Sequence, residues 1–410
     1  MQQQISDNKT SKGYLYQLFA LCFSSGLFGA TVSTLLSEYL PEIEKELTGT
    51  SIGENAERAG AIINSMFLFG WMFGGILWGV ICDRFGRKKA VIYSTACYGI
   101  FSLMTAVAPS WEYLIAFRFL SGFGVGGVIV TTTILISEAW TPAKRAIAIG
   151  LLTICFPVGV FLAGAIVAFI PDWREAFFIG IVPLIISFIS FYVLKEPDEW
   201  KKNIDEQTQG QKFSQLFIPE NRNNIFIGSI TFGAMLIGLW AIFAWLPTWI
   251  QTLITEGDGQ KERGLAMMSL AGAALLGGCF SGWFTSFAGW RKTMLLCFAV
   301  CFLVSFILFK LTTTYSSIIF IEIGLLGFFF GVSQGVLSDF ISKIFPPVIR
   351  ASATGFCFNA GRLFTASVVF FVGWLVTAFG SYGNSIFIFS FVFLIGLGAT
   401  FFVKENPLTD

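Results

Sequence analysis

Long apolar runs recur twelve times along this chain of 410 residues, and their recurrence limits the possible fold more than any other feature. Most of them reach the roughly 20 residues that a helix needs to cross the hydrocarbon core of a bilayer. Hydrophobic residues make up 55% of the chain and charged residues only 12%. A soluble protein of this composition would lack the polar side chains to cover its surface. The sequence therefore predicts an all-α membrane protein.

The positions of the apolar runs predict twelve transmembrane helices. They lie near residues 14–39, 60–82, 89–108, 112–139, 145–170, 175–195, 223–252, 264–287, 292–311, 315–341, 351–379 and 383–403. The polar segments 1–13, 196–222 and 404–410 fall outside them. We therefore expect two six-helix bundles, 14–195 and 223–403, that are joined by a central loop on the same side of the membrane as both tails.

Basic side chains are distributed unevenly between the predicted loops. If the amino terminus is cytoplasmic, eighteen of the 26 Lys and Arg residues lie on the cytoplasmic side, six on the outer side and two within helices. Loops that stay in the cytoplasm are enriched in Lys and Arg, so this bias predicts cytoplasmic termini in a multi-pass protein of the cell membrane. The net charge of +1 gives no general attraction to nucleic acid.

Several function classes lack the residues that they need. The chain has no histidine, which removes the usual Ser-His-Asp and Cys-His nucleophile arrangements and most zinc sites. No GxxxxGK[ST] loop for nucleotide phosphates is present. The eight cysteines lie in or beside apolar runs, where they are expected to act as small packing residues. We expect no enzymatic activity, no metal and no cofactor.

The two predicted bundles repeat one another in their glycine positions. One set recurs 203 residues later and a second set recurs 205 residues later. The first comprises Gly74, Gly75, Gly79, Gly86 and Lys89, which return as Gly277, Gly278, Gly282, Gly289 and Lys292; the second comprises Gly122, Gly126, Pro142, Arg145 and Gly150, which return as Gly327, Gly331, Pro347, Arg350 and Gly355. A parallel repeat of this kind places a binding site between the halves, near the middle of the bilayer.

The segment 79–89, GVICDRFGRKK, lies between the second and third predicted helices on the cytoplasmic side. Gly79 and Gly86 permit a close approach and a tight turn. Asp83 can accept hydrogen bonds from the amides at a neighbouring helix start, while Arg84 and Arg87 belong to a basic cluster that faces the anionic inner leaflet.

This segment resembles the signature loop of the major facilitator superfamily. The resemblance extends over the whole chain, including the repeated loop at 282–292, the stretch RFLSGFGVGG at 118–127 and the stretch SEAWTPAKR at 137–145. Among its branches, the chain resembles metabolite–proton symporters of the organic-acid, sialate and sugar types. The resemblance implies a twelve-helix transporter that works by alternating access.

The resemblance also implies a charge network at the cytoplasmic gate. Asp83 would help to lock this gate, Arg87 would pair with Glu138, and Arg145 would pair with Asp83. The second half departs from the pattern, since Ser286 stands where Asp83 would repeat.

Three charged residues fall inside predicted helices, where a charge costs about 2.5–3.5 kcal/mol on insertion scales. Arg118, Glu322 and Arg362 lie at similar depths in the fourth, tenth and eleventh helices. One interpretation is a central site in which Arg362 or Arg118 binds an anionic substrate and Glu322 carries a proton. The alternative is that Arg118 and Glu322 belong to a structural Arg–Glu pair that spans the two halves.

Aromatic residues of the seventh predicted helix form a second candidate group. Trp240 and Phe243 are three residues apart and share a helix face, whereas Trp245 is displaced from it. We expect these three rings to contribute to substrate binding.

The leading hypothesis is therefore a monomeric secondary transporter that moves a small organic anion together with protons. A neutral-sugar porter or facilitator is the second hypothesis. A membrane sensor that uses the same scaffold without transport is the third.

Overall fold

The computed structural model describes residues 12–48, 54–197, 218–255, 257–345 and 350–402. Regular structure in these ranges is entirely helical. The helices are α1 (Lys12–Glu38), α2 (Leu40–Thr48), α3 (Glu54–Phe85), α4 (Arg87–Ala106), α5 (Trp111–Ala139), α6 (Pro142–Thr153), α7 (Cys155–Phe169), α8 (Trp173–Phe177), α9 (Ile181–Val193), α10 (Pro219–Leu253), α11 (Gln260–Phe306), α12 (Ile318–Lys343), α13 (Arg350–Phe370), α14 (Val372–Phe379) and α15 (Tyr382–Phe401). Most of the predicted amino-terminal tail, all of the carboxyl-terminal tail and most of the central loop lie outside the described residues.

These helices make the twelve predicted spans. Within the described ranges, nine helical segments are long and apolar enough to cross a membrane, and the longest, Gln260–Leu311, has 52 residues and contains two spans. The third span, α4, and the eleventh, α13–α14, complete the set. Both are more polar, because α4 begins with three basic residues and α13 carries Arg362. Helix α2, between the first two spans, was not predicted.

The turns that join successive spans show that the sequence repeat is a structural repeat. Gly86 separates α3 from α4 with φ of 107°, and Gly289 bends α11 with φ of 77°. These two residues are the 203-residue pair of the glycine repeat. Left-handed backbone of this kind favours glycine, since a Cβ atom would clash with the backbone.

The glycine repeat also sets how closely the helices pack. A Cβ atom on Gly126 of α5 would lie 2.1 Å from the carbonyl oxygen of Trp71 in α3. In the second half, a Cβ atom on Gly331 of α12 would lie 1.9 Å from the carbonyl oxygen of Ala274 in α11. The second and fourth spans of each half therefore touch through their backbones, as small residues allow in membrane proteins.

We expect Gly126→Ala to destabilise the protein by about 1–3 kcal/mol, because its methyl group meets backbone and α3 must move away. The matched control is Gly398→Ala in α15, where no heavy atom lies within 4 Å of an added Cβ. It should be neutral or slightly stabilising, since alanine is the better helix former. Thermal unfolding of the purified variants measures both effects, and equal losses of Tm in the two variants would contradict this packing argument.

The chain ends distinguish the two faces of the bundle. We call the face that bears Lys12 and Phe401 the tail face and the opposite one the far face. On the tail face, the Tyr14 hydroxyl donates to the Lys195 carbonyl at 3.4 Å, and Arg291 donates to the Phe401 carbonyl. The halves meet where α1, α3 and α7 pack against α10, α11 and α13.

Candidate functional site

Four aromatic rings meet where the two halves face each other. Trp71 of α3 and Phe156 of α7 come from the first half, and Trp240 and Phe243 of α10 come from the second. The ring centroids of Trp71 and Trp240 are 5.2 Å apart with an interplanar angle of 87°, and Phe156 lies 6.3 Å from both Trp240 and Phe243. We call these four residues the aromatic box. Its edge-to-face contacts are those that aromatic pairs prefer.

Helical spacing correctly placed Trp240 and Phe243 side by side, and their rings are 5.7 Å apart. Sequence reasoning missed Trp71 and Phe156, because no local pattern links residues of α3 and α7 to α10. Trp245 does not join the box. Its side chain is fully buried and packs 5.6 Å from Tyr382 of α15, inside the second half.

Arg118 of α5 forms hydrogen bonds to the first helix, α1. Its guanidinium donates to the carbonyl oxygens of Val32 at 2.9 Å and Ser33 at 3.1 Å, and it lies 4.0 Å from the centre of the Phe67 ring. Phe67 in turn packs against Trp71, with centroids 5.8 Å apart. Arg118 therefore stands one ring behind the aromatic box and supports it.

Arg362 lies on α13 and is partly buried. Its neighbour Gly361 packs closely on Gly233 of α10, since a Cβ atom added to Gly361 would lie only 3.2 Å from the Gly233 Cα atom. Gly233 precedes Trp240 by seven residues, which corresponds to about 10 Å along a helix axis. The backbone next to Arg362 therefore lies about 10 Å from Trp240 along the axis of α10.

Glu322 lies near the start of α12 and is partly buried, and its Oε2 atom has no hydrogen-bond partner. The adjacent Ile321 is 73% exposed, so this carboxyl group sits beside the lipid-facing surface of its helix. No ion pair joins any two of the described residues Arg118, Glu322 and Arg362 to each other. The three predicted intramembrane charges thus do not make one salt-bridged cluster.

The tail face carries the predicted charge network around Arg87. Its Nε atom donates to both carboxylate oxygens of Glu138 at 3.0 and 3.1 Å, and its Nη1 atom lies 3.2 Å from Oδ1 of Asp83. Nη1 also donates to the Cys82 carbonyl at 2.9 Å. This arrangement ties α3, α4 and α5 together within the first half.

Other predicted members of this network lie differently. Asp83 pairs with Arg87 across the Gly86 turn, so the predicted Arg145–Asp83 pair is not formed between these described side chains, and Arg145 Nε has no hydrogen-bond partner. Arg84 is exposed. Gly79 makes no close approach, since an added Cβ would meet only Val130 at an ordinary 3.9 Å.

Glu196 caps the start of α4, a position for which sequence reasoning considered Asp83. Its Oε2 atom accepts a hydrogen bond from the Lys88 amide at 3.0 Å. The helix dipole stabilises a negative charge at this position.

In the second half, an apolar contact stands where the first half has the ion pair of Arg87. Trp290 stands 203 residues after Arg87 and stacks on Phe340 with centroids 4.6 Å apart.

On the far face, polar contacts join the two halves directly. Gln260 of α11 donates to the carbonyl oxygens of Val167 at 2.8 Å and Ile170 at 2.6 Å, and Arg263 forms an ion pair with Glu42 of α2. Burial raises the pKa of the Glu42 carboxyl above its usual range, and the Arg263 guanidinium opposes this shift. These contacts close the far face, and we call them the far-face seam. Sequence reasoning had counted Arg263 as an ordinary loop charge.

Comparisons with known proteins agree with this architecture. The model of the Major Facilitator Superfamily matches residues 17–366. The chain is 27% identical over 403 residues to a cis,cis-muconate transport protein of Acinetobacter baylyi, with 95% of this chain and 94% of the relative covered. It is 28% identical over 333 residues to a 3-(3-hydroxy-phenyl)propionate transporter of Escherichia coli, with 74% and 78% covered.

Among solved structures, the crystal structure of a D-xylose-proton symporter superposes with a TM-score of 0.79 at 18% identity. The alignment covers 97% of this chain and 99% of the symporter, which supports the fold. Three observations lead to one conclusion. They are the twelve spans in two halves, the repeated glycine turns and a family match over most of the chain. The protein belongs to the Major Facilitator Superfamily and is a multi-pass membrane transporter rather than an enzyme.

Proposed function

We propose that this protein transports small organic anions of the unsaturated or aromatic carboxylate type. The observation that carries the proposal is the aromatic box between the halves, with Arg362 about 10 Å away along the helix axis. Flat rings or conjugated chains stack on aromatic side chains. A guanidinium group matches a carboxylate with two parallel hydrogen bonds. The site thus suits a flat acid with its carboxylate towards Arg362.

The relatives support this substrate class. The names of the two transporters given above refer to muconate and to hydroxyphenylpropionate, which are both carboxylates with unsaturated or aromatic carbon. The aromatic box would also suit the face of a sugar ring. A neutral-sugar porter is therefore the second candidate, and it differs from the first in needing no cation at the site.

We further propose that a proton gradient drives the transport and that the protein acts as a monomer. Glu322 is the proposed proton carrier, because it is a partly buried carboxyl group within a span and its Oε2 atom has no hydrogen-bond partner. Intramembrane carboxylates of this kind are typical of proton pathways. In this scheme Asp83, Arg87 and Glu138 stabilise the tail-face gate. The surrounding residues are Gly79 and Arg84 of α3, Gly86 in the turn after it and Arg145 of α6.

The tail face is proposed to be cytoplasmic, in the cell membrane, as the excess of Lys and Arg in its loops supports. Impermeant thiol reagents test this orientation on a cysteine-free background. In intact cells, Thr50→Cys should be labelled and Asp205→Cys should not. Equal labelling of both would overturn it.

Uptake into proteoliposomes tests the substrate class. We expect saturable uptake of radiolabelled cis,cis-muconate or 3-(3-hydroxyphenyl)propionate, stronger when the outside is acidic, and no uptake of D-xylose. Trp240→Ala should weaken the affinity for the acids by about tenfold, since one stacking partner is lost. Trp283→Ala is the matched control, because that side chain is 61% exposed on α11, away from the box. Uptake of D-xylose alone would favour the sugar porter.

A further inference from the structure

A buried carboxyl group in the far-face seam has no assigned role. Glu38 ends α1, its side chain is completely buried, and neither of its carboxyl oxygens has a hydrogen-bond partner. The Thr34 hydroxyl, one turn earlier, faces this carboxyl group without forming a well-aligned hydrogen bond to it. An ionised carboxylate in such a position loses its hydration and gains no hydrogen bond in return, which costs several kcal/mol.

The nearby cation is already engaged elsewhere. Arg263 is completely buried and donates to the side chains of Glu42 and Gln251 and to the carbonyl oxygen of Asp258 at 3.1 Å. Towards Glu38 it donates only to the backbone carbonyl, at 3.1 Å. The guanidinium therefore neutralises Glu42, and Glu38 receives only its longer-range attraction.

The far-face seam contains more acidic groups than basic ones. Two carboxyl groups, Glu38 and Glu42, share one guanidinium. The other titratable groups that face this region bring no positive charge: the Tyr39 hydroxyl donates to the Ile170 carbonyl at 2.6 Å, and Asp172 and Asp258 lie at the edge. From α3, the neutral Asn64 accepts a hydrogen bond from Ser37, and Glu44 of α2 is a further buried acid near Gly60. Within the group of Glu38, Glu42 and Arg263, the charges balance when one proton is added to the closed seam.

We propose that Glu38 is a proton-binding site of the far-face seam. It holds a proton while the seam is closed and releases it to water on the far side when the halves separate there. The proposal rests on the alternating access of the proposed function, but it does not depend on which substrate is carried. Because this proton enters and leaves at the same face, it controls the gate, whereas the driving proton is assigned to Glu322.

The sign of the pH effect follows from the proton count. The closed state binds one proton more than the open state, so acid favours closure. Over the pH range in which Glu38 is protonated in the closed state and ionised in the open state, the equilibrium constant for closing should rise about tenfold for each unit by which the pH falls. Acid on the far side would thus hold this face shut.

Distance measurements between spin labels test the proposal without transport. On a background in which the native cysteines are replaced, labels at Val107→Cys and Leu311→Cys report the separation of the halves, since both positions are exposed on the far face in different halves. In liposomes at a series of pH values, the short-distance population of the otherwise unchanged protein should grow as the pH falls. A distribution that is the same at every pH would overturn the proposal.

Three substitutions separate proton binding from packing. Glu38→Gln should keep the far face closed at every pH, because it imitates the protonated form. Glu42→Gln should also lose most of the pH dependence, because Arg263 then balances the charge of Glu38. Glu46→Gln is the matched control, since Glu46 pairs with Arg174 at 2.7 Å within the same half, and it should keep the full dependence.

Retention of the full pH dependence in Glu38→Gln would overturn the assignment. A failure of the proposed function would look different: carboxylates would not be taken up, while the distances would still respond to pH. The two proposals can therefore fail independently.

Discussion

Arg362→Ala is expected to lower the affinity for a carboxylate substrate by about 30-fold or more. Removing one partner of a desolvated charge pair leaves the other charge without compensation and costs about 2–5 kcal/mol. Arg362→Lys should recover little of the affinity, because an ammonium group does not reproduce the planar double contact of a guanidinium. Equilibrium binding of a radiolabelled acid to the purified variants measures the effect.

The matched control for this prediction is Arg58→Ala, since Arg58 is exposed near the start of α3 and lies far from the aromatic box. Its affinity should match that of the unmodified protein. Binding of D-xylose that Arg362→Ala leaves unchanged would favour the sugar porter. Normal binding of the acid by Arg362→Ala would remove Arg362 from the site altogether.

Glu322→Gln is expected to abolish accumulation driven by a pH gradient while exchange of substrate across the membrane continues. Glutamine imitates a permanently protonated carboxyl group, so the binding site can still reorient but can no longer release a proton. Paired assays in proteoliposomes, one with a pH gradient and one with substrate on both sides, separate the two activities.

Glu175→Gln, at an exposed position in α8, is the control and should retain both activities. Full accumulation by Glu322→Gln would place the coupling proton at another carboxyl group. Such a result would bear on Glu322 alone, because the seam proposal for Glu38 is tested by distances and not by accumulation.

Features that depend on local periodicity were predictable from the sequence. The glycine spacing anticipated the Gly86 and Gly289 turns, because backbone with a positive φ favours glycine. The common face of Trp240 and Phe243 followed from the helical repeat. The Arg87–Glu138 pair followed from the resemblance of the signature loop.

Contacts between distant segments were not predictable in the same way. The resemblance suggested that Arg145 would pair with Asp83, but the Gly86 turn already brings Arg87 to that carboxylate. Arg118 was interpreted as a substrate ligand or one member of an ion pair. In the structure its guanidinium donates to two carbonyl groups of α1, and its Nε atom has no hydrogen-bond partner. Carbonyl groups are present at every residue, so the sequence contains no sign that one of them will be the partner.

The central site and the far-face seam depend on how the two halves dock. Trp71 meets Trp240, and Glu42 meets Arg263 across 221 residues, because the packing of the two halves places them opposite each other. The apolar runs specify that the helices form and that they lie in a membrane, since each can satisfy its own backbone hydrogen bonds there. Which side chains face one another is a property of rigid-body packing between helices whose surfaces are almost uniformly apolar, and uniform surfaces carry little information about their partners.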